Sequence, residues 1–151
     1  MRRLPAIALL LAAACAAGPL RPDALDTRND VCASCRMPVS DASLAAQLVA
    51  RGEETRFFDD IGCARDFLSF HPRPAVSALF VADHRTRAWV PAEKAVYTRA
   101  RIETPMGSRL IAHADAASRD SDPAAAGGET VPAALALGEK GPFGVSVGGG
   151  A

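Results

Sequence analysis

The stretch from residue 44 to residue 83 constrains the fold most strongly, because its apolar pattern changes from strand to helix and back. Residues 44–50 (LAAQLVA) and 55–60 (TRFFDD) flank the polar sequence RGEE, which predicts a β-hairpin. In the next segment, IGCARDFLSF, apolar residues recur at helical spacing. Two aspartates precede this segment and His-Pro follows it. Residues 75–83 are again an apolar strand, so the predicted order is β-β-α-β.

The second half of the chain repeats this order with weaker signals. Residues 94–100 and 108–114 are strand candidates, DAASRDSDPAAA is a helix interrupted by Pro123, and ETVPA is a brief last strand. We therefore predict an α+β domain over residues 31–137 with two ββαβ halves, roughly 31–87 and 88–137. Residues 15–30 are predicted to be a flexible N-terminal tether. The glycine-rich residues 138–151 are predicted to be a disordered C-terminal tail.

Residues 1–14 have the composition of a signal peptide, with a basic start, an apolar run and small residues before Cys15. The apolar run is too short to span a hydrocarbon core of about 30 Å. This end resembles the lipobox of bacterial lipoproteins, in which the cysteine is acylated. We therefore expect Cys15 to be a lipid anchor that holds the domain in the cell envelope, facing the periplasm. Ordinary cleavage nearby, which would give a soluble secreted protein, is the alternative.

The charged residues argue against one class of partner. The chain has 17 Lys and Arg against 17 Asp and Glu, and its basic residues are scattered, without a basic stripe interleaved with aromatic residues. Such a surface lacks the electrostatic footprint of a nucleic-acid-binding protein. We therefore expect no nucleic-acid partner.

The segment CASCRMP concentrates sulfur. Acylation of Cys15 leaves three thiols, an odd number that cannot form a complete disulfide framework. Pro38 disfavours helix at Met37, and an extended backbone would place Cys35 and Met37 on one face. Met106 lies in TPMGS, which predicts a turn. Thiolate and thioether are soft donors that suit Cu(I).

Other readings of the cysteines remain open. Cys32 and Cys35 could be half of a zinc site, although the chain has no second such pair. They could be a redox pair, although no helix opens directly after them. A structural disulfide between them is the third possibility. Cys63 lies in the first turn of the predicted helix, where the positive helix end lowers a thiol pKa. It is a reactive thiol, a third sulfur donor or a core residue. His113 is the best candidate for a nitrogen donor.

Four segments together resemble the NosL family, copper-chaperone lipoproteins that accompany nitrous oxide reductase. They occur in the family's order: CASCRMPVSD, RFFDDIGCARDFL, FVADHRTRAWVPAEKAVYT and TPMGSRLIAH. The resemblance implies two ββαβ halves and a non-enzymatic carrier of Cu(I). It also implies delivery of copper, through an ABC-transporter complex, to the copper-sulfide centre of the reductase.

The same resemblance implies copper residues by position. These are Cys35, Met37 and Met106. Cys32 is less certain, because not every member of the family has this first cysteine. Cys63 and His113 are less certain candidates that follow from the residue pattern and not from the resemblance. The alternative function is a thiol-disulfide oxidoreductase that uses Cys32 and Cys35, which would have no need of the two methionines.

Overall fold

The structure, a computed structural model, describes residues 18–138. The predicted signal peptide and the lipid anchor at Cys15 lie outside these residues, as does the predicted tail after Gly138. Among the described residues, no helix is long and apolar enough to cross a membrane.

The first half forms a four-stranded antiparallel sheet with one helix. The strand order is β2-β1-β3-β4. In chain order the elements are β1 (Ala46–Ala50), β2 (Arg56–Phe58), α1 (Ile61–Phe70), β3 (Ser77–Ala82) and β4 (Trp89–Pro91). The hairpin predicted around RGEE is present, with Ala46 opposite Phe58. Helix α1 has the predicted bounds because Asp60 caps its N-terminus and accepts a hydrogen bond of 2.7 Å from Gly62 N–H.

The second half forms a three-stranded antiparallel sheet in the order β6-β5-β7. Its elements are β5 (Val96–Arg99), β6 (Leu110–His113), α2 (Ala116–Asp120), β7 (Glu129–Val131) and α3 (Ala133–Leu137). Short 3₁₀ helices precede β5 and follow α2, at Ala92–Lys94 and Pro123–Ala125. Pro123 ends the weak helix, as the sequence predicts, because proline favours the start of a new helical turn over the interior of an old one.

The two halves share one hydrophobic core. Buried residues from both sheets, including Leu48, Phe58, Tyr97 and Leu110, belong to a single cluster. The backbone joins the halves as well, through a parallel bridge between Asp83 and Ala112 and a hydrogen bond of 2.8 Å from His84 N–H to the Ala112 carbonyl. Packing and hydrogen bonds therefore connect the halves directly.

The predicted α+β fold with two ββαβ halves is confirmed, and two elements were not predicted. β4 has only three residues and joins the first sheet beside β3, although it follows the predicted boundary at residue 88. α3 buries Ala136 and Leu137 against the core, and its sequence AALAL carried no capping signal. The exact division between the halves remains a prediction.

The described part of the predicted tether is packed on the domain. The buried Gln47 side chain accepts a hydrogen bond from Asp23 N–H and donates one to the Asp23 carbonyl, at 2.8 and 3.1 Å. Leu25 packs against the core. The predicted tether is therefore not free around Asp23 and Leu25, because the buried Gln47 amide on β1 has the Asp23 backbone as its partner.

Candidate metal centre

The segment from Cys32 to Met37 is a closed turn. Cys32 N–H donates to the Met37 carbonyl at 2.8 Å, and Arg36 N–H donates to the Cys32 carbonyl at 3.0 Å. Arg36 has a φ of 67°, in the left-handed region. The extended backbone expected from Cys35 to Met37 is therefore wrong, because the chain reverses direction here and the reversal requires a left-handed residue.

The turn is attached to the strand that leads into helix α1. Ala33 N–H donates to the Phe57 carbonyl of β2 at 2.8 Å, and Val31 pairs with Pro38 across the base of the turn. β2 ends at Phe58, and two buried aspartates, Asp59 and Asp60, follow before α1 begins. This connection places the turn next to the β2–α1 junction.

Four side chains meet there, and we call them the thiol cluster: Cys32, Cys35, Asp59 and Cys63. Their sulfur and carboxylate oxygen atoms lie within 4.8 Å of one another. The Cys35 thiol donates to both Asp59 oxygens, at 3.4 and 3.5 Å. All three cysteines are free thiols. Cys32, Cys63 and Asp59 are buried, whereas Cys35 is partly exposed and gives the cluster an opening to solvent.

The surroundings of the cluster favour protonated thiols in the absence of metal. Burial raises the pKa of the Cys35 thiol, and contacts with Cys32 and Asp59 raise it further. Burial, Asp59 and Cys32 likewise raise the pKa of the Cys63 thiol. The expectation that the helix end lowers the Cys63 pKa is therefore wrong, because desolvation and a neighbouring carboxylate outweigh the helix end.

Met106 reaches the same junction from the second half. It lies in the predicted turn, which Gly107 N–H closes on the Thr104 carbonyl at 2.9 Å. The Asp60 carboxylate accepts hydrogen bonds from Thr104 Oγ1 and Met106 N–H, at 2.7 and 3.0 Å. Asp60 thus caps α1 and holds the Met106 turn, one residue away from Asp59.

A glycine makes this approach possible. A Cβ atom added at Gly62 would lie 2.7 Å from Ser108 Cβ, closer than carbon atoms can pack. The backbone of the first turn of α1 therefore packs directly against the side chain of Ser108, two residues after Met106. Sequence reasoning did not assign this glycine a role.

The two methionines lie at the exposed edge of the junction. Met37 and Met106 are each 51% exposed, so both thioether side chains can be reached from solvent. Met37 shares the turn of Cys32 and Cys35, and Met106 is bonded through its backbone to Asp60. Of the six predicted residues, the structure thus brings three into the thiol cluster and places the two methionines on the loops around it.

His113 lies elsewhere. It is fully buried at the end of β6, where it contacts Asp122 and His84. The structure therefore does not place it in the thiol cluster. Sequence reasoning also missed Asp59, which it considered only as a possible helix cap. Its position directly after an apolar strand and beside a second aspartate was the available signal.

Comparisons with known proteins agree with this architecture. The NosL family model matches residues 24–134. The fold is similar to that of the copper chaperone NosL from Shewanella denitrificans, with a TM-score of 0.54 and 17% identity. The match covers 76% of this chain and 94% of that one. No curated protein sequence matches the chain. Because the family model covers most of the chain, this protein belongs to the NosL family.

Proposed function

We propose that this protein is a Cu(I) carrier of the periplasm, and that its cargo binds at the thiol cluster. Membership of the NosL family and the fold of a copper chaperone support a copper-binding chaperone rather than an enzyme. The observation that carries the proposal is the convergence of three thiols and one carboxylate beside two exposed methionines.

The donor chemistry favours a soft ion. Thiolate and thioether sulfur favour soft ions such as Cu(I), and the junction offers three thiols with a methionine on each of two adjoining loops. The single carboxylate is a harder donor, and a tetrahedral Zn(II) ion would also accept three cysteines and one aspartate. Competition between Cu(I) and Zn(II) therefore tests the identity of the cargo directly.

Loading would couple metal binding to proton release. A thiol must lose its proton to bind a metal, and the raised pKa of Cys35 and Cys63 means that the metal-free protein holds these protons. The Cys35 thiol proton faces the Asp59 carboxylate, and this proton must leave before a Cu–S bond can form.

Unloading would proceed through the exposed edge. A carrier must let the recipient's ligands replace its own one at a time, which a closed and buried cage would prevent. Cys35 is partly exposed, and both methionine side chains are half-exposed on loops. We infer that Met37 and Met106 exchange copper with the partner while the buried thiols hold it.

The alternative thiol-disulfide oxidoreductase is less compatible with this geometry. Such an enzyme needs an accessible thiol of lowered pKa as its nucleophile. Here Cys32 is buried, and the pKa of the more accessible Cys35 is raised by burial and by Asp59. Neither cysteine has the properties of an attacking thiolate.

The recipient is inferred from the family resemblance. We propose that the protein is anchored through Cys15 and passes Cu(I) to an ABC-transporter complex, which serves the copper-sulfide centre of nitrous oxide reductase. In cells without this protein, reductase should accumulate with that centre depleted of copper. A full complement of copper in those cells would point to another recipient.

Substitution of the methionines tests the carrier against the oxidoreductase. Met37→Leu and Met106→Leu keep bulk and apolarity, so the free energy of unfolding should change by less than about 1.5 kcal/mol. Each should weaken Cu(I) binding at least roughly tenfold, or about 1.4 kcal/mol, in anaerobic competition with a Cu(I) chelator.

The control places a thioether away from the cluster. Leu135 is an exposed residue of α3, and Leu135→Met should leave the Cu(I) affinity unchanged. If both Met→Leu variants bound Cu(I) within about twofold of the wild-type affinity, neither thioether would be a copper ligand. Copper would then be held by thiols alone, or the dithiol chemistry of the alternative would be the better description.

A further inference from the structure

A second group of metal-binding side chains lies away from the thiol cluster. His84 follows β3, His113 is the last residue of β6, and Asp122 caps the 3₁₀ helix Pro123–Ala125. One ring nitrogen of each histidine and one Asp122 oxygen all lie within 4.8 Å of one another. We call these three residues the histidine cluster.

The histidine cluster and the Met106 turn lie at opposite ends of β6. The turn precedes Leu110, the first residue of the strand, and His113 is the last. Three residue steps along a strand span about 10 Å. The histidine cluster is therefore a separate site, formed by one residue from the first half and two from the second.

The three ligand atoms converge on one point. Asp122 Oδ2 is 2.6 Å from His84 Nδ1 and 2.9 Å from His113 Nε2. The two rings do not stack, with centroids 6.3 Å apart and planes at 68°. Two imidazole nitrogens thus share a single carboxylate oxygen, Asp122 Oδ2.

The charge and the protonation of the cluster suit a cation. The Asp122 carboxylate oxygen Oδ2 accepts a hydrogen bond from a ring nitrogen of each histidine, which places one acidic group between two rings. A bound cation would replace the two ring protons that face the carboxylate, and each neutral ring would carry its proton on the other nitrogen. His113 Nδ1 has no hydrogen-bond partner within residues 18–138, so no donor blocks that shift.

The cluster can be reached from solvent. The His84 side chain is 17% exposed, and Asp122 lines an open surface pocket with Thr98, Arg119 and Gly128. A small ion could enter past the partly exposed His84 side chain, and water could occupy a remaining coordination position. Buried His113 would then be the innermost ligand.

We propose that His84, His113 and Asp122 form a second metal site, for a borderline divalent cation of which Zn(II) is the best example. Two imidazoles and one carboxylate are a known donor set for Zn(II) with an open fourth position, whereas sulfur donors suit Cu(I). The protein thus offers two sites of different chemistry. Because the histidine cluster joins the two halves, Zn(II) bound there should also stabilise the fold.

The test compares Zn(II) binding by the full protein and by His84→Gln, using equilibrium dialysis at neutral pH. The matched control is His71→Gln, since His71 is exposed beyond the end of α1 and belongs to neither cluster. Wild type and His71→Gln should each bind one more Zn(II) per chain than His84→Gln. Any Zn(II) bound at the thiol cluster is the same in all three proteins and does not affect this difference. Affinity at this site should fall at least about a hundredfold, since loss of a ligand exceeds the effect of losing an outer partner.

Co(II) identifies the donors. Added to wild type previously loaded with Cu(I), it should give visible absorption bands without the strong charge-transfer band of cobalt–thiolate bonds, and His84→Gln should lose them. Should His84→Gln fail to fold, Asp122→Asn gives the same comparison, because asparagine still caps a helix. Equal Zn(II) binding by wild type and by a folded His84→Gln or Asp122→Asn variant would overturn the proposal. The three side chains would then be a hydrogen-bond network with a structural role only.

Discussion

At the residue scale, two adjacent aspartates perform different tasks at one junction. Asp59 contributes its carboxylate to the thiol cluster, where it accepts the hydrogen bond from Cys35. Asp60 caps α1 and binds the Met106 turn, and these hydrogen bonds outweigh burial and hold the pKa of its carboxyl below its ordinary value. Adjacent residues therefore separate the proposed metal site from the positioning of the surrounding loops.

The close contact at Gly62 gives a prediction about stability. Alanine is favoured over glycine in helices by up to about 1 kcal/mol. Here its Cβ would meet Ser108 Cβ at 2.7 Å, and overpacking of this kind costs about 1–3 kcal/mol. Gly62→Ala should therefore lower the free energy of unfolding, measured in urea.

Removal of the opposing carbon should relieve that effect. In a Ser108→Gly background, Gly62→Ala should lower the free energy of unfolding much less than it does in wild type. Such a difference is the signature of two residues in contact. A Gly62→Ala variant at least as stable as wild type would contradict the close approach of α1 and the Met106 turn.

At the element scale, the first half was the more predictable from sequence. β1, α1 and β3 have clear apolar patterns, and the RGEE turn places short β2 beside β1. A capping aspartate and a terminating His-Pro bound α1, so local preference and burial agree here. β4 and α3 are too short to show a period, and pairing with β3 and packing against the core decide their structure. The left-handed backbone conformation of Arg36 could not be predicted from the sequence either, because hydrogen bonds across the Cys32–Met37 turn decide it.

Asp83 links elements of the two halves. Its carboxylate accepts hydrogen bonds from Ala114 N–H and Ser118 Oγ, at 2.8 and 2.7 Å, and another from Thr86 N–H. Burial opposes ionisation of this carboxyl, but the hydrogen bonds outweigh it and place its pKa well below the ordinary value. β3 is thereby tied to the start of α2.

The Asp83 carboxyl predicts a pH dependence. A lowered folded-state pKa gives stability that is complete above the unfolded pKa of about 3.9 and is lost as the pH falls towards the folded pKa. Asp83→Asn should cost about 1.5–3 kcal/mol at pH 7, measured by urea unfolding, and the gap to wild type should narrow below about pH 4. Asp66→Asn, on the exposed side of α1, is the control and should change little. If the difference in the free energy of unfolding between wild type and Asp83→Asn stayed the same from pH 7 to below pH 4, Asp83 would not act through its charge.

At the scale of the whole molecule, the sites arise from contacts between segments distant in sequence. The CASCRMP turn was recognisable as a sulfur site, but Cys63 joins it only because β2 carries the turn to the start of α1. His84, His113 and Asp122 were single residues without a motif, and the pairing of the two halves brings them together. Composition and spacing therefore indicated the chemistry, while the full set of side chains required the fold.

The N-terminal cysteine gives a prediction for the protein in the cell. Cys15→Ser removes the thiol that we expect to be acylated, so protein from the membrane fraction should become soluble if export is retained. Fractionation followed by immunoblotting measures the change, and two acyl chains suffice for stable anchoring of the wild type. Unchanged partitioning of an exported variant would assign the anchor to another residue.

The most direct test of the carrier is anaerobic Cu(I) competition with X-ray absorption on the purified protein. We expect one Cu(I) per chain in a shell dominated by sulfur, not displaced by an equal concentration of Zn(II). Cys35→Ser should weaken Cu(I) binding at least about a hundredfold, while its exposed neighbour variant Ser34→Ala should bind like wild type. Failure of wild type to retain copper against the chelator, displacement by Zn(II), or wild-type affinity in Cys35→Ser would contradict a Cu(I) carrier built on the thiol cluster.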